Sequence, residues 1–372
     1  MFAAPARLAW LDALRGPAAL AVTLHHAGWT FVPGVWAELD RRIDLGSWGV
    51  LVFFLVSGYI IPASLERRGD LRAFWTGRAF RLLPLLLAAS CLALLLTAAG
   101  VLPASPGLGE RPWPLVALGN VSMLQELLNL PALINVTWTL SYEMAFYLIS
   151  VALFATRQAH RSAGIALTLA LAAVPLGLLL PRATIGGRAD LAAALLGLAV
   201  VAAIAVTVLA SEGARTVAAV AGGGLGLALV VLGSRGGTWQ GVIILAVMFT
   251  GTALYRAEQG TISWRAAGTT AAVVAVCGIP AKDDPAWGAA VVAAFGAFAL
   301  AYALRGRSFP RWLPWLGLVS FSVYLLHPIL LHLVPDLPLF LLALIPLSAL
   351  TYQLIEKPGQ RLGRRLISRT PR

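Results

Sequence analysis

Long uninterrupted apolar segments recur along this chain and constrain its fold more than any other feature. A transmembrane helix needs about 20 predominantly apolar residues, whereas the strands of a membrane barrel alternate in polarity. Only 12% of the 372 residues are charged, 59% are hydrophobic, and the mean hydropathy is +0.83. Soluble domains carry about 25% charged residues, so that class is excluded. The sequence predicts an all-α, polytopic transmembrane bundle of about 10–12 spans.

Twelve apolar segments can be distinguished, and the stretches between them are short except for one. The Gly-rich segment 214–233 is predicted to be a broken or short element. The Pro-rich stretch 103–137 fits no span and is predicted to lie outside the membrane as an interfacial or re-entrant piece lining a cavity. The segments are 16–36, 46–65, 82–102, 138–156, 162–180, 190–210, 214–233, 239–256, 264–280, 286–304, 312–334 and 338–355.

The distribution of basic residues predicts the orientation of the bundle. An even number of crossings places both termini on one side, and loops on the cytoplasmic side are enriched in Lys and Arg. Under that assignment 21 of the 28 Lys and Arg residues are cytoplasmic and 7 are not. Both termini are therefore predicted to be cytoplasmic, in the plasma membrane of a bacterial-type cell. Residues 1–358 form the predicted transmembrane domain, 359–372 a basic cytoplasmic tail, and no cleaved signal peptide is expected.

The first apolar segment contains an arginine and two adjacent histidines. Arg15 and His26 are eleven residues apart, almost three helical turns, so they share one face and are separated by roughly 16 Å along the axis. Ionisable side chains inside a span are costly and are functional candidates by default. Imidazole can pass a proton near neutrality, so His26 is the predicted catalytic base or acyl relay. His25 points about 100° away and is predicted to have a supporting role. The alternative is that Arg15 only flanks the membrane and the histidines only bond to neighbouring helices.

Two further arginines begin the third apolar segment. Arg78 and Arg81 are three residues apart, so they project from the same helical face. Paired guanidinium groups bind phosphate oxygens bidentately, which predicts a phosphate-binding pair. Ordinary positive charge near lipid headgroups is the alternative, and the presence of Arg15 on the same side of the membrane weakens it.

A carboxylate is predicted inside the span that begins near residue 138. Trp138 marks the outer interface, and Glu143 follows roughly 8 Å deeper. A buried glutamate either pairs with a cation or acts as an acid or base, so Glu143 is the second predicted catalytic residue. In the second span, the small residues Ser57 and Gly58 allow helices to approach closely.

The last two spans carry further polar residues. Tyr324 and His327 lie one turn apart on one face, and Pro328 frees a backbone carbonyl there. Glu356 lies at the inner boundary and is predicted to be a partner of the inner arginines. No metal-ligand spacing is present, so no metal site is predicted. No basic soluble domain is present to bind nucleic acid.

Together, six motifs in this order resemble the membrane acyltransferase-3 family of integral-membrane O-acyltransferases. Individually each is weak, but they cover residues 8–358. The family core is usually described with about ten spans, and the hydrolase-like domain of some relatives is not expected after this one. The motifs are Leu11-Asp12-Ala-Leu-Arg15-Gly with His26, Phe53-Phe54-Leu-Val-Ser57-Gly58-Tyr59, Arg78-x-x-Arg81-Leu-Leu-Pro84, Trp138-Thr-Leu-Ser-Tyr142-Glu143, Ser322-Val-Tyr324-Leu-Leu-His327-Pro328 and Glu356-Lys-Pro358.

The resemblance implies transfer of an acyl group, most commonly acetyl, from cytoplasmic acyl-CoA to a hydroxyl of a carbohydrate, glycolipid or secondary metabolite. It implies that His26 is the essential histidine and that Arg15, Arg78 and Arg81 lie near the donor. Acyl-CoA is then a substrate rather than a permanently bound cofactor, and membrane lipid is the other expected partner. Residues expected to line or support the site are Asp12, His25, Ser57, Tyr59, Tyr142, Tyr324, His327 and Glu356.

Two other classes of function compete with this interpretation. A twelve-span exporter could use intramembrane His and Glu as a proton relay. However, the two halves of the chain show no repeat, and the polar residues concentrate in the first 150 and last 60 positions. A purely structural scaffold would not explain Glu143 or the alignment of Arg15 with His26.

Overall fold

The computed structural model describes residues 9–180, 182–183 and 190–368, and these residues form helices and loops without any strand. The predicted all-α class is confirmed. Ten helical segments of the described chain are long and apolar enough to cross a membrane. The chain is a multi-pass membrane protein.

Fifteen α-helices are present in the described ranges, and twelve of them overlap the twelve apolar segments. The helices Ala9–Phe31 and Trp264–Gly278 are not among the ten that are long and apolar enough to cross a membrane. The twelve are α1 (Ala9–Phe31), α3 (Leu45–Arg68), α4 (Leu71–Ala98), α6 (Trp138–Ala155), α7 (Ser162–Leu179), α8 (Asp190–Leu209), α9 (Glu212–Gly233), α10 (Thr238–Glu258), α11 (Trp264–Gly278), α12 (Pro285–Ala303), α13 (Trp312–Leu330) and α14 (Leu337–Thr351). The three others are α2 (Pro33–Asp40), α5 (Trp113–Val121) and α15 (Lys357–Ser368).

Polar contacts between helix termini define two ends of the bundle. Arg256 at the end of α10 forms an ion pair with Glu66 at the end of α3. At the opposite end, the backbone N–H of Asp44, which precedes α3, donates to the carbonyl of Ala286 at the start of α12 (3.2 Å). We call the end at which α1 and α4 begin the arginine end, and the end at which α3 and α6 begin the histidine end.

Two glycines bring neighbouring helices into backbone contact. A Cβ atom on Gly58 would lie 1.8 Å from the Met248 carbonyl oxygen of α10, and the Thr252 hydroxyl donates to the Gly58 carbonyl (2.8 Å). A Cβ on Gly317 would lie 2.0 Å from the Asp12 carbonyl oxygen, so α13 packs directly on α1. Small residues permit such close approach in membranes, and the packing role predicted for Gly58 is confirmed.

The predicted break in 214–233 is wrong, because α9 is continuous from Glu212 to Gly233. Its glycines serve helix packing instead: Gly223 and Gly226 lie against Ala152 and Ala145 of α6. In a membrane, close packing of this kind stabilises a Gly-rich helix that would be weak in water.

The predicted cavity-lining role of 103–137 is also wrong. This stretch contains α5 and a folded loop at the histidine end, and none of its residues lines the cavity described below. Buried polar side chains hold the loop: Asn120 donates to the Pro131 carbonyl (2.9 Å) and Gln125 to the Thr137 carbonyl (2.8 Å). Leu124, Leu127 and Leu130 of the loop are buried in the hydrophobic core, so the loop packs into this end of the bundle without lining the cavity.

The predicted basic tail is largely the amphipathic helix α15, which packs against α4. Gly359 and Gly363 lie against Pro84 and Phe80, while its arginines are exposed. Residues 369–372 of the predicted tail lie outside the described residues.

Candidate functional site

Five helices, α1, α3, α4, α6 and α13, enclose a cavity of about 90 Å³. That volume accommodates several water molecules or a narrow chain. The cavity walls are mainly aliphatic and aromatic, and its polar lining comes from all five helices. The polar lining residues are Arg15, Ser57, Arg78, Arg81, Thr139, Glu143, Tyr147, Ser320 and Tyr324.

The arginine end of this cavity carries the three arginines predicted from the sequence. Arg15 lies 3.5 Å from Asp12 one turn earlier in α1. Among the described residues, no carboxylate oxygen lies within 4.0 Å of a side-chain nitrogen of Arg78 or Arg81. The Arg78 guanidinium lies 5.6 Å from the ring centres of both Phe74 and Tyr147. Its Nη2 also donates to the Ser64 hydroxyl (3.5 Å), so these contacts hold the cation at the cavity wall while its remaining N–H donors stay available to an anion.

Glu356 lies next to the arginines and is almost fully buried (3% exposed). It belongs to a π-helical turn, Tyr352–Glu356, and accepts a hydrogen bond from the Ser322 hydroxyl. Arg15 and Arg81 are the cations that interact with it electrostatically. This is the arrangement predicted from the sequence, and π-helical turns of this kind are frequent at functional sites.

Glu143 lines the middle of the cavity. Its carboxylate accepts a hydrogen bond from the Ser57 hydroxyl of α3 (3.0 Å). Tyr147 follows one turn later on α6, and its ring is buried (1% exposed). Glu143 also interacts electrostatically with Arg15, so the carboxylate and the cation share one cavity.

A pair of histidines lies at the histidine end. His26 Nδ1 and His327 Nε2 are 3.0 Å apart, and the rings are nearly parallel, with 24° between their planes. His327 is fully buried, whereas His26 is half-buried. The cavity-lining ring of Tyr324 lies 5.9 Å from the His327 ring. Tyr324 and His327 thus connect the end of the cavity to His26, which does not itself line it.

Hydrogen bonds fix the Tyr324 ring between the cavity and the histidines. Its hydroxyl lies 2.9 Å from the carbonyl oxygen of Val136 and 3.0 Å from the Thr139 hydroxyl oxygen. The Phe53 ring of α3 packs edge-on against it at 5.9 Å. One side of this aromatic wall is therefore held by α6 with its preceding turn, and the other side by α3.

His25 points away from the histidine pair, as the helical periodicity predicted. Its Nδ1 lies 3.3 Å from an Asp40 oxygen and 3.8 Å from an Asp44 oxygen. Burial raises the pKa of the Asp40 carboxyl, and the charge of His25 opposes that rise. The ligand atoms of the three side chains lie within 4.8 Å of one another, a spacing that would accommodate a cation, although Asp44 already caps α3 through Ser47.

Of the eight residues expected to line or support the site, only Ser57 and Tyr324 line the cavity, and Tyr59 and Tyr142 lie on other faces of their helices. The Tyr59 hydroxyl donates to Glu258, and its ring packs edge-on against Trp10 (5.5 Å). Tyr142 packs against Trp138 and Phe54. The reason is helical geometry, because each residue along a helix turns the side chain by about 100°. Tyr142, next to Glu143, and Tyr59, two residues after Ser57, therefore do not face the cavity.

Three polar lining residues, Thr139, Tyr147 and Ser320, were not predicted, although the signal was present. Thr139 and Tyr147 each lie four residues from Glu143 on one face of α6, and Ser320 lies four residues from Tyr324 on one face of α13. Asp40 and Asp44 were also missed. Their contact with His25 depends on how α2 folds back, which apolar periodicity does not specify.

Comparison with known proteins identifies the family of the chain. A family model described as an acyltransferase domain, of the acyltransferase-3 type, matches residues 8–351. That range includes the cavity-lining residues and the histidine pair. No curated protein and no solved structure gives a match.

Proposed function

The chain belongs to this acyltransferase family, and from that premise we propose that it is an O-acyltransferase that uses acyl-CoA as donor and a hydroxylated acceptor. The donor carries an acyl group, with acetyl as the first candidate. The acceptor is a carbohydrate, a glycolipid or a small hydroxylated metabolite. The observation that carries the proposal is that the two ends of one cavity differ. Arginines lie at one end, and a histidine pair lies beyond the other.

The arginine end suits the phosphates of coenzyme A. Arg78 and Arg81 lie on one helical face and have no carboxylate within ion-pair distance among the described residues. Guanidinium groups bind phosphate bidentately, and Arg15 adds a third positive charge. A cavity of about 90 Å³ is too small for a nucleotide but suits a narrow chain such as pantetheine. In the proposed complex the nucleotide stays at the mouth and the thioester extends toward Tyr324.

The proposed orientation follows from the same polarity. Coenzyme A is cytoplasmic, so the arginine end would face the cytoplasm, in agreement with the excess of basic residues in the loops on that side. The histidine end would face outward, where acceptors of the cell envelope are available. We assign the protein on this basis to the plasma membrane of a bacterial-type cell, with both termini inside.

His26 is the proposed reacting group. As a base it removes the proton of the acceptor hydroxyl; the oxygen then attacks the thioester carbonyl, the new ester C–O bond forms, and the C–S bond breaks. The electron pair of that bond goes to sulfur, and the proton held by His26 neutralises the thiolate to give free CoA. Alternatively, a ring nitrogen of His26 attacks the thioester carbonyl, the C–S bond breaks, and CoA leaves as a thiolate. The acceptor hydroxyl then attacks the acyl-imidazole, the acyl–nitrogen bond breaks to restore His26, and the hydroxyl proton passes to the thiolate. Glu143 would orient the acceptor or the reacting groups from within the cavity.

The test is release of free CoA thiol from acetyl-CoA by the purified protein in liposomes, with pooled sugars, glycolipids and macrolides as acceptors. We expect acceptor-dependent release by the wild type and none by His26→Ala. Acid quenching followed by mass spectrometry distinguishes the two routes, because only the second leaves an acyl group on His26. Undiminished release by His26→Ala would contradict the assignment of His26, and no turnover with any acyl-CoA would contradict the donor.

A further inference from the structure

The tautomeric state of the reacting histidine can be read from the hydrogen bonds of its neighbour. His327 is fully buried in α13 (0% exposed), and its Nδ1 lies 3.2 Å from the carbonyl oxygen of Val323, one turn earlier. A carbonyl oxygen can only accept a hydrogen bond, so Nδ1 of His327 carries the proton. A neutral imidazole has one donor and one acceptor nitrogen, so Nε2 of His327 is left as an acceptor.

The same reasoning extends to the second ring. His26 Nδ1 lies 3.0 Å from that acceptor nitrogen, so it must donate. In the resting site both rings are neutral, because even one imidazolium inside a membrane-spanning bundle would be poorly solvated. His26 then holds its proton on Nδ1 and presents the lone pair of Nε2.

We propose that His327 is a positioning residue that fixes His26 as the Nδ1–H tautomer, so that Nε2 of His26 is the nitrogen that reacts. The proposal rests on the proposed function, because it specifies how that site is activated. His327 itself is completely enclosed and its two nitrogens are both occupied, so it does not touch the substrate. His26 is half-buried and has one nitrogen to spare.

The hydrogen bond between His26 and His327 would also stabilise the charged form of His26. When Nε2 takes the acceptor proton, His26 becomes an imidazolium whose Nδ1–H still donates to His327. A hydrogen bond to the charged form stabilises it, which is the role of an orienting group behind a catalytic histidine. In the hydrolase triads a carboxylate has this role; here a neutral imidazole would do so, in keeping with an apolar span.

Three substitutions of His327 distinguish the effect of its acceptor nitrogen, Nε2, from the effect of the rest of the ring. His327→Gln places an amide oxygen near the position of Nε2 and keeps an acceptor for His26. His327→Asn reaches only the position of Nδ1, so it keeps a donor for Val323 but not the acceptor. His327→Leu removes both. The first two variants are polar and similar in size, so they form a matched pair.

We expect His327→Asn and His327→Leu to lower kcat about 10- to 100-fold with an unchanged KM for acetyl-CoA, as is typical when an orienting partner is removed. His327→Gln should stay within a few-fold of the wild type. A purely structural role would instead make both polar variants equivalent. Equal activity of the Asn and Gln variants would therefore overturn the proposal.

The second readout does not depend on activity. The chain has five histidines, so selective ¹⁵N-histidine labelling in lipid nanodiscs gives few signals, and His26 is identified by its loss in His26→Ala. The wild type should show His26 with a protonated Nδ1 and an unprotonated Nε2, and His327→Asn should lose that preference. An unprotonated Nδ1 in the wild type would refute the proposal even if the protein were an active acyltransferase. The expected pattern in a protein that turns over no acyl-CoA would instead refute only the proposed function.

Discussion

The helices around the cavity differ sharply from α7, α8, α9 and α11, although both groups are made mainly of apolar residues. In the latter group, acidic and basic residues occur only within the first turn of a helix, as with Asp190 or Arg215. The cavity helices place Arg15, Glu143 and His327 well inside. Charge in a span is costly, and α7, α8, α9 and α11 lack it beyond their first turns. The helices around the cavity retain it.

The difference shows which part of the sequence specifies function. In the apolar group, Thr207 and Thr270 donate to carbonyls of their own helices (2.7 and 2.8 Å). In the cavity group, two hydroxyls join different helices, Ser57 with Glu143 and Thr139 with Tyr324. Interhelical polar contacts position reacting groups, whereas bonds within one helix only stabilise that helix.

Removing the charge of Glu143 should have a larger effect than any of the three changes that follow. Glu143→Gln keeps the size of the side chain and an oxygen for the Ser57 hydroxyl, but it removes the carboxylate. We expect kcat to fall about 100-fold, as when the group that orients the reacting atoms is lost. Turnover of acetyl-CoA in liposomes measures this, with Glu212→Gln, at the start of α9, as control. Similar losses in both variants would erase the distinction between the two groups of helices.

The second-largest effect is expected from replacing an arginine by lysine at the arginine end, which should weaken donor binding. Arg78→Lys and Arg81→Lys keep the charge but lose the bidentate fork. Loss of a hydrogen bond between charged groups costs about 1.5–3 kcal/mol, so KM for acetyl-CoA should rise about 10-fold or more while kcat changes little. The exposed Arg365→Lys in α15 is the control. A change in kcat without a change in KM would place these arginines away from the donor.

A glycine-to-alanine pair tests whether close packing distinguishes the cavity helices. Gly58→Ala would force a Cβ against the Met248 carbonyl, and overpacking costs about 1–3 kcal/mol. A Cβ on Gly164 in α7 would meet nothing within 4 Å, so Gly164→Ala should be neutral or slightly stabilising. Thermal unfolding in detergent compares the two. Equal unfolding temperatures would show that α3 and α10 can separate at no cost.

The smallest expected difference comes from two threonines. Thr139→Val removes a partner of the Tyr324 hydroxyl, which keeps the Val136 carbonyl, so we expect activity to fall only a few-fold, about 1 kcal/mol. Thr270→Val removes a hydroxyl that bonds only within its helix, so activity should be unchanged. Steady-state rates at saturating acetyl-CoA measure both. A larger loss of activity in Thr270→Val than in Thr139→Val would contradict the assignment of Tyr324 to the wall of the site.

Much of this fold could be predicted from the sequence, because lipid forces long apolar helices with satisfied backbones. The twelve segments followed from the apolar runs, and the shared face of Arg78 and Arg81 followed from helical periodicity. The structure of 103–137 did not, because buried Asn120 and Gln125 hold that loop through specific backbone bonds. Nor did the contact between His26 and His327, whose positions are 301 residues apart. Periodicity gives the face of a helix, but only tertiary packing decides which faces meet.

The most direct test of a cavity with a donor end and a reacting end separates binding from chemistry. Dissociation constants for acetyl-CoA and single-turnover rates would be measured for the wild type, the Arg78→Gln/Arg81→Gln double variant and His26→Gln. We predict weaker donor binding with a nearly normal rate at saturation for the arginine variant. For His26→Gln we predict normal binding with a rate reduced at least ~100-fold. Normal donor binding by the arginine variant, or a normal rate in His26→Gln, would contradict this division of the cavity.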